Sequence, residues 1–199
     1  TRFEMTLTKL NSVTRGKGFE IFDKSDLVVG IVVPGAANFS RKDIGDYINW
    51  VKRPQIGAKG MIWLKFNADE SFKSSVDKFY TEADFKLWAE SCKAKPGDLI
   101  FVLAGETNAT RFQISSLRME LAKRLEMRNP EIFAPVWVTD FPLFKWDTET
   151  KRYQAIHHPF TAPKSEHLDL LEKDPSSVKA SAYDLIINGN EIGGGSIRI

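Results

Sequence analysis

The chain has 199 residues, 42% of them hydrophobic, which allows one or two domains with cores of ordinary size. Its formal net charge is +2, from 28 basic and 26 acidic residues, so charge alone gives no argument for a nucleic-acid partner. The lone cysteine, Cys92, excludes an internal disulfide, and with only three histidines there is no Cys-rich zinc site; a reducing, cytoplasmic setting is expected.

The longest apolar stretch, residues 27–34, has strand length and falls well short of the roughly 18 apolar residues a membrane-spanning helix needs. No membrane partner is expected. There is no charged-then-apolar leader and no initiator methionine, and the text stops in a strand-like run at 196–199. The expectation is a fragment of something longer.

In chain order, residues 19–22 and 27–34 read as strands joined by a turn at 23–26. Ser40 opens a helix, with Asp43 placing a negative charge in its first turn. Ile44, Tyr47, Ile48 and Val51 follow at helical spacing and Pro54 closes the segment. A strand is predicted at 61–66, a helix at 81–92, a buried strand at 99–103 and a long amphipathic helix over 108–127, ended by Asn129-Pro130. Alternation nominates Leu27, Val29, Ile31, Ile62, Leu64, Ile100 and Val102 as core.

A second region starts near Ile132. Residues 135–144 alternate like a strand, 145–152 read as a polar hairpin tip, and a short helix is predicted over 166–172. Two strands follow at 181–188 and 191–199, around the hairpin signal Asn188-Gly189-Asn190. The predicted units are therefore 1–130 and 131–199.

Asp184 interrupts an apolar strand and Glu191 opens the next. For a two-residue loop within 188–190, even positions on the first strand share a face with odd positions on the second. Asp184 and Glu191 then lie together, close enough to share a magnesium ion beside a phosphate-bearing ligand. The same residues also read as a solvent-facing edge residue and a turn residue. Gly193-Gly194-Gly195 is unusual within a strand and marks either a bulge, a close approach of ligand, or a loose linker. A one-residue bulge among these glycines would bring Arg198 onto the face of Glu191. Of the adjacent pair His157-His158, at most one is expected in a site, and a loop-capping role is the alternative. The five tryptophans are dispersed and read as core or surface anchors.

Together, "FAPVWVTDFPLF", "AIHHPFTAPK" and "AYDLIINGNEIGGGSIRI" closely resemble the catalytic region of bacterial-type aspartyl-tRNA synthetases. "FEIFDKSDLVVGIVVPGAANFSRKDIGDYINWVK" and "GAKGMIWLKFN" resemble, more loosely, the GAD insertion domain of the same enzymes. The resemblance implies an α+β fold: a two-layer GAD-like domain, an antiparallel sheet with helices, joined to antiparallel strands of a class II synthetase catalytic domain. It implies ATP, L-aspartate and tRNA(Asp) as partners, with Mg2+ accompanying ATP. Carried over residue by residue, Asp184 and Glu191 match the acidic pair at the ATP–magnesium site. Arg198 matches the arginine that reads the substrate's side-chain carboxylate, and His157 the histidine that closes over bound aspartate. No residue matches an acid, base or nucleophile. The anticodon-binding barrel, the dimer motif and two arginine-bearing motifs have no counterpart here. A homodimeric parent and an inactive fragment are expected. GAD-type modules also occur in tRNA-dependent amidotransferase subunits, a non-catalytic alternative that leaves "NEIGGGSIRI" unexplained.

Overall fold

A computed structural model of the chain describes residues 3–199. By its internal contacts the chain divides into two units, Phe3–Arg128 and Asn129–Ile199.

The first unit runs β1 (Leu7–Lys9), α1 (Asn11–Thr14), α2 (Glu20–Asp23), β2 (Leu27–Val33), α3 (Arg41–Val51), β3 (Ile62–Phe66), β4 (Phe72–Ser74), α4 (Glu82–Cys92), β5 (Leu99–Gly105) and α5 (Thr107–Arg124). Its five strands form one antiparallel sheet in the order β1-β2-β5-β3-β4. The central strands β2 and β5 pair from Leu27↔Gly105 to Val33↔Leu99 and are apolar at nearly every position. A strand of that kind must be covered on both faces, and it is. Leu27, Val29, Ile31, Leu99, Phe101 and Leu103 pack with Ile44, Tyr47 and Val51 of α3 and Ile114, Leu117 and Leu121 of α5. Val28, Ile100, Val102 and Leu64 pack with Phe22 and with Phe85, Trp88 and Ala89 of α4. The antiparallel sheet with helices is as expected, and helices pack against both of its faces. The core residues named from alternation accordingly divide between two cores.

The longer helices begin where local chemistry dictates. Ser40 caps α3 and Thr81 caps α4, each in a reciprocal capping box, with Asp43 and Asp84. Each cap stabilises by about 1 kcal/mol. Gly30, midway along β2, leaves room for neighbours: a Cβ there would lie 2.8 Å from Leu10 Cδ1 and 3.2 Å from Cys92 Sγ. Burial pushes the Cys92 thiol up to about 11, which marks it as a packing residue.

Residues 19–22 were expected as a strand and are not one. Phe19 is the N-cap of α2, and Phe22 is fully buried with its ring 5.7 Å from Trp88 and 6.2 Å from Tyr80. A short apolar run fits a helical turn as well as a strand, and the aromatic cluster decided between them. The edge strands β1 and β4 are too short to signal themselves by periodicity.

The second unit comprises β6 (Pro135–Thr139), β7 (Phe144–Asp147), β8 (Arg152–Ala155), α6 (Leu170–Lys173), β9 (Ala182–Ile187) and β10 (Asn190–Ser196). Its three-stranded sheet has the order β10-β9-β6, and β7 pairs with β8. The run read as one strand over 135–144 is two, β6 and the start of β7, separated by Asp140 at positive φ (62°). The polar tip of the β7–β8 hairpin is confined to 148–151, because Trp146 pairs with Tyr153 and their rings pack edge-on, 5.1 Å apart. The core here is small: Leu143, Val178 and Ala180, with Phe141, Phe144, Leu170, Leu171 and Ala182 against it.

Candidate functional site

The β9–β10 hairpin closes with Asn190 opposite Ile187, so its loop is Asn188-Gly189. Both take positive φ, 55° and 87°, as the primed turn that matches strand twist requires. Glu191 stands opposite Ile186. Even positions of β9 therefore share a face with Glu191, and Asp184 is its diagonal neighbour, ~7–8 Å away at Cα in a regular sheet.

The register then shifts. Gly193 lies opposite Leu185, Gly194 opposite Asp184 and Ser196 opposite Ala182, so one residue, Ile192, is extra. Beyond this bulge even positions of β10 share the face of Asp184. Alternation continued past Ser196 puts Arg198 on that face too. A bulge was expected among the three glycines; it falls just ahead of them, between Glu191 and Gly193. The glycines serve another purpose. A Cβ on Gly194 would overlap the Asp184 carboxylate and approach the Tyr183 carbonyl oxygen to 2.9 Å. A Cβ on Gly195 would come within 2.7 Å of the Tyr183 hydroxyl. The bare backbone lets both side chains of β9 fold across β10, Asp184 on one face and Tyr183 on the other.

Asp184 is half-buried, while Glu191, Arg198 and His157 are exposed. Among the described residues neither carboxylate has an ion-pair partner, and no cluster of three or more His, Cys, Asp or Glu side chains could hold a metal by itself. Two carboxylates on one face suit magnesium, which keeps waters and takes phosphate oxygens for its remaining positions. On donor chemistry the pair fits that ion.

Arg198 is anchored through its backbone and side chain. It bridges Thr161, with Ala162 N–H donating to Ile197 (2.8 Å) and Ile199 N–H to Phe160 (3.0 Å). Its guanidinium lies 3.5 Å from Oγ1 of Thr161, which is buried. The segment so attached carries His157 four residues upstream. The His157 ring packs edge-on against Phe141, centroids 5.0 Å apart. No hydrogen bond joins it to Asp184, Glu191 or Arg198 among the described residues. The other histidines hold loops: His158 Nδ1 accepts from the Phe160 N–H (3.1 Å) and His167 Nδ1 from the Lys179 N–H (3.0 Å).

Two residues near this arrangement escaped sequence reading. Asp140 follows β6 and pairs with Lys164, whose hydrogen bond holds its carboxyl below the usual range. Thr161 supports Arg198. The one available signal was Asp140 interrupting an alternating run, because aspartate tolerates positive φ.

The GAD domain family model matches residues 20–113. Over its whole length the chain is 57% identical to part of the aspartate–tRNA ligase of Flavobacterium psychrophilum. It is 48% identical to part of the same ligase in Porphyromonas gingivalis and in Bacteroides fragilis. Each match takes in 100% of this chain and 34% of the relative, so the chain spans about a third of the length of the curated relatives it matches. Residues 20–113 of the chain thus match the GAD domain model, within a stretch that is similar, from end to end, to about a third of bacterial aspartate–tRNA ligases.

Proposed function

We propose that this chain is the part of a class II aspartate–tRNA ligase that supplies one wall of the aspartate and ATP site, with the GAD domain inserted ahead of it. The observation that carries this reading is the β9–β10 register, which puts Asp184 and Glu191 on one face and whose bulge at Ile192 lets alternation continued past Ser196 bring Arg198 to it. In the reaction, a carboxylate oxygen of aspartate attacks the α-phosphorus of ATP and the bond to pyrophosphate breaks. The terminal ribose hydroxyl of tRNA(Asp) then attacks the activated carbonyl carbon and AMP leaves. No enzyme nucleophile is required, so the protein contributes positioning and charge stabilisation.

Asp184 and Glu191 would hold a magnesium ion, which would supply charge neutralisation for the ATP phosphates. Arg198 presents a planar fork to the side-chain carboxylate of aspartate, a geometry that lysine cannot match. Thr161 fixes the approach of that fork. His157, on the segment tied to the Arg198 strand, closes over the bound amino acid. The parent works as a homodimer in the cytoplasm; no helix among the described residues is long and apolar enough to cross a membrane.

The test is aspartate-dependent ATP–pyrophosphate exchange. A full-length protein containing this stretch should catalyse it, and Asp184→Ala and Glu191→Ala should each abolish it. The 199-residue chain alone should show no exchange above background. Exchange in the full-length protein that both alanine variants retain would remove the reading.

A further inference from the structure

The first unit has a cleft of about 390 Å3 between α3 and the outer strands of the sheet, lined by Arg41, Ile44, Gly45, Ile48, Trp63, Lys65, Lys73 and Ser74. That volume lies in the range of small-molecule sites. Three of the lining residues are cations and none is acidic. Asp43, whose charge also acts on Lys65, accepts from the Ser40 N–H (2.7 Å) in the α3 capping box.

Two of the cations face each other across the sheet and the third sits at a helix N-terminus. Lys65 and Lys73 are direct partners across the β3–β4 ladder, and like charges directly opposite destabilise a sheet. Burial, and then the charge of Lys73, hold the Lys65 ammonium below its ordinary range. Arg41 is the first residue of α3, at the positive end of the helix dipole. Lys65 Nζ donates to the Phe39 carbonyl at 2.5 Å. That bond fixes the ammonium in place and leaves two of its three N–H groups free. A bound anion would relieve all three positions at once. The rest of the wall is the half-buried indole of Trp63 with Ile44 and Ile48 beside it, a surface suited to a flat ring.

We propose that this cleft binds a nucleotide, its phosphate held by Arg41, Lys65 and Lys73 and its base laid against Trp63. The same chemistry could come from a free mononucleotide or from one nucleotide of an RNA strand. The site belongs to the GAD-bearing unit and is independent of the ligase chemistry proposed for the β9–β10 hairpin.

The experiment is an NMR titration of the full chain, following the Trp63 indole N–H. The probes are inorganic phosphate, AMP and a single-stranded oligoadenylate. AMP should shift the Trp63 signal and bind at least tenfold more tightly than phosphate. Lys73→Gln and Arg41→Gln should each weaken AMP binding at least tenfold. Lys73→Gln should leave the ligand-free Tm unchanged or raised, because it removes a like-charge pair. A residue that merely supported the fold would lower it. Asp184→Ala should leave AMP binding intact. Oligoadenylate binding tighter than AMP would identify an RNA strand as the source; equal or weaker binding would identify the free nucleotide. The proposal is overturned if no probe moves Trp63, if phosphate binds as well as AMP, if both glutamine variants bind AMP normally, or if Asp184→Ala abolishes binding.

Discussion

Asp184 stands directly opposite Gly194 in the β9–β10 ladder, and its carboxylate occupies the space that a Cβ on residue 194 would fill. The glycine is therefore part of how the acidic side chain is aimed. Gly194→Ala should displace Asp184 and press on the Tyr183 carbonyl, which belongs to the backbone and cannot swing aside. A destabilisation of about 1–3 kcal/mol is expected from such overpacking, together with a large loss of ATP–pyrophosphate exchange in the full-length protein. Gly195→Ala meets only the Tyr183 ring, which is exposed and can rotate away. Urea denaturation and exchange assays of the pair should rank the first variant as the more damaging; the reverse order would contradict the glycine's role.

Arg198 should control the amino acid and not the nucleotide. Arg198 is exposed here; once bound aspartate buries the pair in the full-length protein, removing the guanidinium costs about 3–5 kcal/mol. That corresponds to roughly a hundred- to several-thousand-fold in kcat/KM for aspartate. Arg198→Leu in the full-length protein should show this loss with ATP binding little changed, and Arg198→Lys should recover only part of it. Asparagine, lacking the ion pair, should suffer less. Steady-state kinetics with both amino acids and with ATP varied would expose an opposite assignment.

Asp84 makes stability depend on acid. A hydrogen bond from Lys17, followed by bonds from Thr81, holds its carboxyl well below the usual carboxylate range, at about 2. A group lowered on folding contributes above its unfolded pKa and loses that contribution as pH falls through its folded pKa. Here the window is about pH 4 down to pH 2, and the contribution is ~2 kcal/mol for this mostly buried carboxylate. Asp84→Asn should be less stable by about that amount at pH 6, and the gap should close toward pH 2. Denaturation curves at four or five pH values would reveal it; a gap independent of pH would mean that the charge is not responsible.

The stretch between the two units should be where the chain is cut. Arg128, Asn129, Pro130, Glu131, Ile132 and Phe133 are all exposed and lie outside regular structure. Brief trypsin treatment should cleave after Arg128 and leave a resistant fragment ending there, with cooperative unfolding of its own. The large doubly covered sheet motivates this expectation. Early cleavage inside β5, read by mass spectrometry, would show that the unit is not autonomous.

Features that depend on neighbours in sequence were legible from the sequence alone. Asn188-Gly189 specified its turn because only residues at ease with positive φ can make it. Ser40 with Asp43 specified a helix start because the two groups satisfy each other within one turn. The shared face of Asp184 and Glu191 followed from the length of that loop and the two-residue period of a strand. Other features were decided by packing between distant residues. Phe19 to Phe22 carries no periodicity that separates a strand from a turn of helix; contact with Tyr80 and Trp88 made it helical. Apolar residues on both sides of β2 and β5 demanded cover on both faces, and which helix covers which face no single segment announces. The bulge settled on Ile192 because Asp184 and Tyr183 must lie over Gly194 and Gly195. Lys65 came to face Lys73 through a strand pairing that Phe72–Ser74 is too short to declare. Local chemistry sets turns and caps within a few residues, whereas register, layering and juxtaposition are set by the burial of side chains far apart in the chain, and that balance exists only in the folded molecule.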